Sequence, residues 1–430
     1  MRIRSLAPLL VIALASTAVG CGDESEGSSS GTTGTTAPSG STSSTAPAVE
    51  FTGDPIVLGA TTSTDALIPP SLGGVEEGTT AAAATLNAAG GVTTADGLTH
   101  EVAIVYCNNK NDKAQTADCA RRFVDEGVAA VVGSAAIFPE ELVPILQEAG
   151  IAYFSPTLAS LGLVEMTTPN SFVIFGTPVF FIGAALELAK AGYEETAVIF
   201  VTSGGTVLPA VQAALESQGG SMAKTVEVPA ANPNWPQLAA EAADGTDSIM
   251  MIMDEETVTP FVAALRQIGK EVAIGGPAIA ITNETLATTG GADSPLVGAR
   301  AAGPWAMPEH ESWADYRESM AEHAPGTQLE GVSQNAWLSV VALASVISQI
   351  EGPVDSASVM GQLSRTTDLG SFGGKLPDGI DLTRSDSEVL NRLFDPYYWG
   401  PIEVTADGLV DAEDAAFQNG LDILLEALNL

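Results

Sequence analysis

The chain predicts an α/β protein of two doubly wound lobes, and three features carry that expectation. Apolar runs rich in Val, Ile and Tyr alternate with segments of helical spacing through residues 101–157, the pattern of βαβ units on a parallel sheet. The alternation starts afresh at residue 196, after a break near Phe175. Beyond the first 50 residues about 380 remain, more than one ordinary core holds and ample for two.

The first 50 residues read as targeting and tether. Arg2 and Arg4 precede an apolar run at 6–18, about 13 residues, too short to span a bilayer and the right length for a signal peptide. It ends in Ala18-Val19-Gly20-Cys21, similar to the bacterial lipoprotein cleavage box, with Ala18 where Leu is usual. Cys21 is therefore the expected lipidated N-terminus, against ordinary secretion with an incidental Cys. Residues 22–50 are nearly all Ser, Thr, Gly, Pro and acid, a composition that cannot bury apolar area and suits a flexible tether.

Residues 54–61 form the first expected strand, 62–74 a loop, and 75–89 an Ala-rich helix closed by Gly90-Gly91. Residues 101–107, rich in Val, Ile and Tyr, suit a strand buried on both faces. The helix at 113–125 stops at Gly127; strand 129–133, helix 139–149 and strand 151–155 follow. Then come strand 171–176 and helix 178–191. The second run places strands at 196–201, 224–228, 248–253, 271–276 and 299–303, and helices at 207–217, 235–243 and 258–268. The longest helix, 333–351, is strongly apolar, but Gln334, Asn335 and Gln349 interrupt it, so it reads as buried rather than membrane-spanning. Leu421, Leu424, Leu425 and Leu428 share one helical face, which predicts a C-terminal helix over 409–430.

Sixteen basic against 53 acidic residues give a formal charge of −37. That excludes the basic patch nucleic acid binding requires. The acidity is read as a solvated surface in preference to a lure for cationic solutes. With Cys21 assigned to the anchor, Cys107 and Cys119 remain as an even pair outside the cytoplasm. The short loop between them brings them together, and a disulfide is expected. His100, His310 and His323 form no ligand spacing with the cysteines, so no metal or other cofactor is expected.

In open parallel sheets, ligands sit outside the carboxyl ends of the strands. Those ends here include Gly133-Ser134-Ala135 and Ser155-Pro156-Thr157, small polar residues that let a ligand approach backbone N–H groups.

Taken together, several stretches resemble the substrate-binding lipoproteins of ABC importers in the leucine/isoleucine/valine-binding protein-like family, the type 1 periplasmic binding proteins. The resemblance runs from about residue 54 to 407. AAAATLNAAGGV resembles the family's first helix and Gly-Gly turn. YCNNKNDKAQTADCARRFVDEGVAAVVG resembles its polar turn, helix and strand, EAGIAYFSPT its strand end, and GSFGGKLPDGIDL its late hairpin. The resemblance implies two α/β lobes joined by three crossover hinge segments, closing over a ligand. Lobe I would be 54–172 plus 303–371, lobe II 173–302 plus 372–407, and 408–430 a helical tail. It also implies a small-molecule solute, an amino acid or similar small polar compound, a permease and ATPase complex as partner, an extracytoplasmic monomer on a lipid anchor, and no catalysis.

Carried onto this chain, the first-lobe ligand loops are Ser134, Ala135 and Phe138, then Ser155 and Thr157. The family's adjacent serine pair is absent, and Ala159 stands near an expected Thr. Ser134 and Thr157 equally suit helix N-capping, and Phe138 either stacks on a ligand or staples its helix. From the second lobe the loops give Ser203, Asp254, Glu255 and Ala278. The aromatic wall positions look empty, and Ala278 stands where an acid is expected. Asp254 and Glu255 offer negative charge from the neighbouring loop, although acids there also complement a helix dipole.

Two other functions compete. A secreted α/β hydrolase lacks support, because outside the tether no G-x-S-x-G elbow, P-loop or G-x-G-x-x-G fingerprint is present. A lipoprotein that senses its ligand for a membrane receptor would carry the same sequence features as one that serves a permease.

Overall fold

A computed structural model describes residues 50–64, 73–156, 164–174, 177–303, 307–329, 331–383, 398–412, 417–420, 422–423 and 426. These belong to one compact unit, Val49–Leu430. The expected signal peptide, Cys21, most of the tether, and Leu421, Leu424, Leu425 and Leu428 lie outside the described residues.

The first lobe opens with β1 (Ile56–Thr62), α1 (Val75–Ala88), a short hairpin of β2 (Val92–Thr93) and β3 (Thr99–His100), and β4 (Val102–Asn108). It continues with α2 (Lys113–Asp125), β5 (Ala130–Val132), α3 (Pro139–Glu148), β6 (Ala152–Phe154), α4 (Val164–Thr167) and β7 (Ser171–Phe172). The parallel sheet has the order β4-β1-β5-β6-β7. Alternate residues of each strand feed opposite faces. Ile56 and Leu58 enter the larger core, whereas Val57 faces the smaller core of α2 and α3, with Phe123, Leu142 and Leu146.

The second lobe starts with α5 (Thr177–Lys190), β8 (Glu195–Val201), α6 (Leu208–Ser217), β9 (Ser221–Val228) and α7 (Trp235–Ala242). Next come β10 (Ser248–Ile252), α8 (Glu255–Ile268), β11 (Ala273–Pro277), α9 (Asn283–Thr288) and β12 (Arg300–Gly303). The chain returns to the first lobe for α10 (Ala314–His323), α11 (Gly331–Ile347) and α12 (Ser356–Leu363), which pack with α1 over the larger first-lobe core. It then re-enters the second lobe with β13 (Tyr398–Thr405), β14 (Gly408–Asp411) and β15 (Gln418–Asn419). That sheet runs β14-β13-β12-β11-β10-β8-β9, with β15 on β13. Its faces are covered by α5 and α6 on one side and α7 and α8 on the other. The chain thus passes between the sheets three times: between Phe172 and Thr177, between Gly303 and Met307, and between Thr383 and Tyr398.

Three expectations need correction. The strand at 101–107 is not buried on both faces: β4 is the edge of its sheet and mostly half-buried, while β1 beside it is the buried one. The segment from Phe372 does not pass directly to the second lobe. Leu376, Ile380 and Leu382 pack in the first core. Lys375, nearly buried, lies 5.7 and 5.8 Å from the Trp313 and Trp337 rings and 2.9 Å from Asp315. Residues 409–411, expected in a helix, are a strand, because Leu409 is buried in the second-lobe core and β14 pairs antiparallel with β13.

The long apolar helix is α11, and it lies against the strand ends of the first lobe. Two glycines permit this approach. A Cβ on Gly78 of α1 would meet the Ser333 carbonyl oxygen at 2.6 Å, and one on Gly133, at φ 57°, would meet Ala336 Cα at 2.8 Å. Among the described residues no helix is long and apolar enough to cross a membrane.

Candidate functional site

Each sheet extends in both directions from its first strand, β1 in the first lobe and β8 in the second. The chain goes from β1 to β4 on one side and to β5 on the other, and in the second lobe from β8 to β9 and to β10. Such reversals open a crevice at the carboxyl ends of the strands. The first-lobe crevice is bounded by Thr61-Thr62-Ser63 and Gly133-Ser134-Ala135, the second by Thr202-Ser203 and Asp254-Glu255. The expected site residues therefore fall at equivalent points of the two sheets, with Ser155 and Ala278 one strand further along.

In the first lobe these groups are largely engaged within the fold. Ser134, fully buried, accepts the Thr61 N–H at 3.0 Å through its hydroxyl, which also lies 3.2 Å from the Val132 carbonyl as donor. The Ala135 N–H donates to the Thr61 carbonyl at 2.9 Å. Asn109, buried in the turn after β4, donates to Thr61 Oγ1 at 3.2 Å and to the Ala135 carbonyl at 3.3 Å. Its backbone N–H donates to the Thr62 carbonyl and its Oδ1 accepts the Asn111 N–H, both at 2.9 Å. One asparagine thus ties together the ends of three strands.

The Cys107–Cys119 disulfide spans this turn, with Cα atoms 5.6 Å apart, as the cysteine pairing predicts. Ser155 is held in the left-handed region at φ 50°, an uncommon conformation for a non-glycine residue. Asn335 of α11 secures it, accepting from the Ser155 hydroxyl at 3.2 Å and donating to its carbonyl at 3.1 Å. Phe138 precedes α3 half-buried, with Lys113 Nζ 5.2 Å from its ring centre. Thr157 lies outside the described residues.

The second lobe presents different chemistry. Asp254 caps α8, its carboxylate accepting the Thr257 N–H at 2.8 Å. This cap starts the helix at Glu255, three residues before the expected start. Glu255 accepts the Thr282 hydroxyl at 2.7 Å. Burial raises the Glu255 pKa above its ordinary value; Glu284 and Glu256 add to the shift, and the Thr282 bond opposes it. Ser203 sits in the 3-10 turn Thr202–Val207, its side chain outside the described residues.

A small cavity is shared by both lobes. Ala278 and Thr282 line it from the second, Gln328 and Gln334 from the first, and Met307 from the segment joining them. Its volume of about 70 Å³ holds roughly two waters, well short of the several hundred Å³ of a solute pocket. Among the described residues, Ala278 is the one expected site residue on its wall. Among the described residues no three His, Cys, Asp or Glu side chains are arranged to hold a metal ion.

Sequence reasoning missed Asn109, Asn335 and Thr282. The first two had a signal. Asn109 stands in the polar run NNKND directly after a strand, and Asn335 interrupts an otherwise apolar buried helix, where a polar side chain needs a partner.

The periplasmic binding protein family profile matches residues 55–387. The chain belongs to that family. Its members bind solutes, and the similar solved structures share the two-lobed fold. A possible leucine/isoleucine/valine-binding protein from Rhodopirellula baltica is 15% identical with a TM-score of 0.68, over 88% of this chain and 100% of that one. The branched-chain amino acid transporter substrate-binding protein of Streptococcus pneumoniae, in complex with isoleucine, is 13% identical with a TM-score of 0.67, over 85% and 99%. An ABC transporter solute-binding protein of R. palustris, in complex with benzoate, is 12% identical with a TM-score of 0.66, over 85% and 98%. Among curated proteins none matches the chain.

Proposed function

We propose that this chain is the extracytoplasmic solute-binding component of an ABC importer, capturing a small polar solute between its lobes. The observation that carries the reading is the pair of switch-point crevices, one in each sheet, with a cavity at Ala278 and Gln334 that both lobes line. Solute contacts with both lobes would favour a closed population, and a permease would recognise that closed shape. On this reading Asp254, Glu255, Ser203 and Ala278 supply the second-lobe contacts. Ser134, Ala135, Phe138, Ser155 and Thr157 build the first-lobe wall. Arg2, Arg4, the apolar run and Cys21 support a lipid anchor, and residues 22–50 a tether holding a monomer off the membrane.

A thermal-shift series on the full chain tests the capture of a solute. The panel holds amino acids, amides, urea, polyamines and small carboxylates. A solute at a hundred times its Kd stabilises by about 2.7 kcal/mol, a rise of roughly a few degrees for a protein of this size. A hit abolished by Asp254→Ala supports binding between the lobes. A folded protein that answers to no solute of the panel would count against the reading. Cys21→Ser should release the protein from the membrane fraction if the anchor is real.

A further inference from the structure

The second crossover, between Gly303 and Met307, is fastened to both lobes at its far end. On the second-lobe side, Asp411 at the end of β14 accepts the Met307 N–H at 3.1 Å. On the first-lobe side, Arg317 of α10 donates through Nη1 to the Pro308 carbonyl at 2.5 Å and to the His310 carbonyl at 2.7 Å. The two restraints meet across one peptide bond, from Met307 to Pro308. That junction bends poorly, because proline fixes its own φ and steers the residue before it to extended backbone.

Asp411 is itself firmly placed. β14 pairs with β13 as far as Asp411, Asn283 of α9 accepts the Leu409 N–H at 2.9 Å, and the Ala412 N–H donates to the Pro401 carbonyl at 3.1 Å. A carboxylate that accepts a backbone N–H makes a stronger bond than two neutral groups do. The fastened segment also walls the cavity shared by the lobes. Met307 and Pro308 line it beside Leu409 of the hairpin, opposite Gln328 and Gln334 of the first lobe. That space of about 70 Å³ has to grow before anything larger than roughly two waters can enter.

We propose that Asp411 and Arg317 make the end of the second crossover a clasp. While both hold, the lobes keep the arrangement in which the shared cavity is small; release of the Asp411–Met307 bond lets them part. Asp411 is the releasable side, since it holds the segment by one bond and Arg317 by two. The clasp biases a two-state motion of the lobes. It goes beyond the solute-binding reading, because it acts whichever solute enters and in the absence of any.

Single-molecule fluorescence energy transfer on the full chain tests this without a solute. Dyes go on Gln115→Cys of α2 and Gln237→Cys of α7, both exposed, in a Cys21→Ser background. Asp411→Ala should enlarge the population with separated lobes about tenfold. Asp411→Asn keeps an acceptor oxygen and should fall between that variant and the parent chain. Hydrogen exchange is the second measurement: the Met307 amide should exchange about tenfold faster in Asp411→Ala, while the amides of β8 and β10 keep their rates. A distance distribution unchanged in Asp411→Ala overturns the clasp. So does faster exchange throughout the second-lobe strands, which would make Asp411 a support of β14 alone. A wider distribution in Arg317→Met with none in Asp411→Ala overturns the role of Asp411. Met307→Pro deletes the same bond from the donor side and decides the case if Asp411→Ala does not fold. A distribution there like that of the parent chain overturns the proposal.

Discussion

The two lobes repeat one topology and treat the ends of their strands in opposite ways. In the first, the loops at the switch point are tied to one another: Asn109 holds Thr61, Thr62 and Ala135, Ser134 holds Thr61, Asn335 holds Ser155, and a disulfide spans the turn that carries Asn109. In the second, the expected contacts are Ser203, two acids at the start of α8, each with one side-chain hydrogen bond, and a small alanine. One lobe is prepared as a rigid wall; the other offers charge on less constrained loops. If the lobes close on a solute as proposed, the ordering cost is met in one lobe before the solute arrives.

The comparison can be broken at its strongest point. Removing the bridge with Cys107→Ala and Cys119→Ala should destabilise by about 3 kcal/mol on the chain-entropy account of a loop this short. Denaturant unfolding measures the loss, and hydrogen exchange should place it at the first-lobe strand ends. Exchange that rises equally in both lobes would deny the first its separate rigidity.

A matched pair of substitutions sharpens the contrast. Asn109→Ala strips several partners from a buried turn and should cost about 2 kcal/mol. Asp254→Ala removes one helix cap and should cost about 1 kcal/mol. Equal losses in urea titrations would erase the asymmetry.

The smallest effect concerns Glu255. Burial raises its folded-state pKa above the ordinary 4.5, so the folded protein holds that proton more tightly than the unfolded chain. Its contribution to stability is fully present below 4.5 and is lost as pH rises through the raised value. Glu255→Gln should therefore gain stability relative to the parent chain as pH climbs through that window, as seen in unfolding curves at successive pH values. A relative loss would show that the Thr282 bond outweighs burial.

Local pattern made the α/β class legible. Short apolar strands and glycine-closed helices placed β1, β5, β6, β8 and β10 with their neighbouring helices to within a few residues. The cysteine pair was legible too, because only a dozen residues separate its members. The weakly patterned elements were not: α4 and α9 are short, and β13 to β15 pair with a strand about a hundred residues away or with one another. Of the site, the loops could be read and their hydrogen bonds could not. Nothing in Gly133-Ser134-Ala135 says that Ser134 will meet the Thr61 N–H, since that depends on β1 and β5 lying side by side.

The sequence by itself determined the two α/β blocks, the family's strand-end loops, the excess of acid and the bridge, all of which depend on residue type and spacing over short stretches. Tertiary structure alone decided that β4 would be an edge, that the segment around Lys375 would stay with the first lobe, and that Asn109 would join the ends of three strands. Those outcomes turn on which strands become neighbours and which helices cover them. That is a competition among long-range contacts, and no local stretch records it.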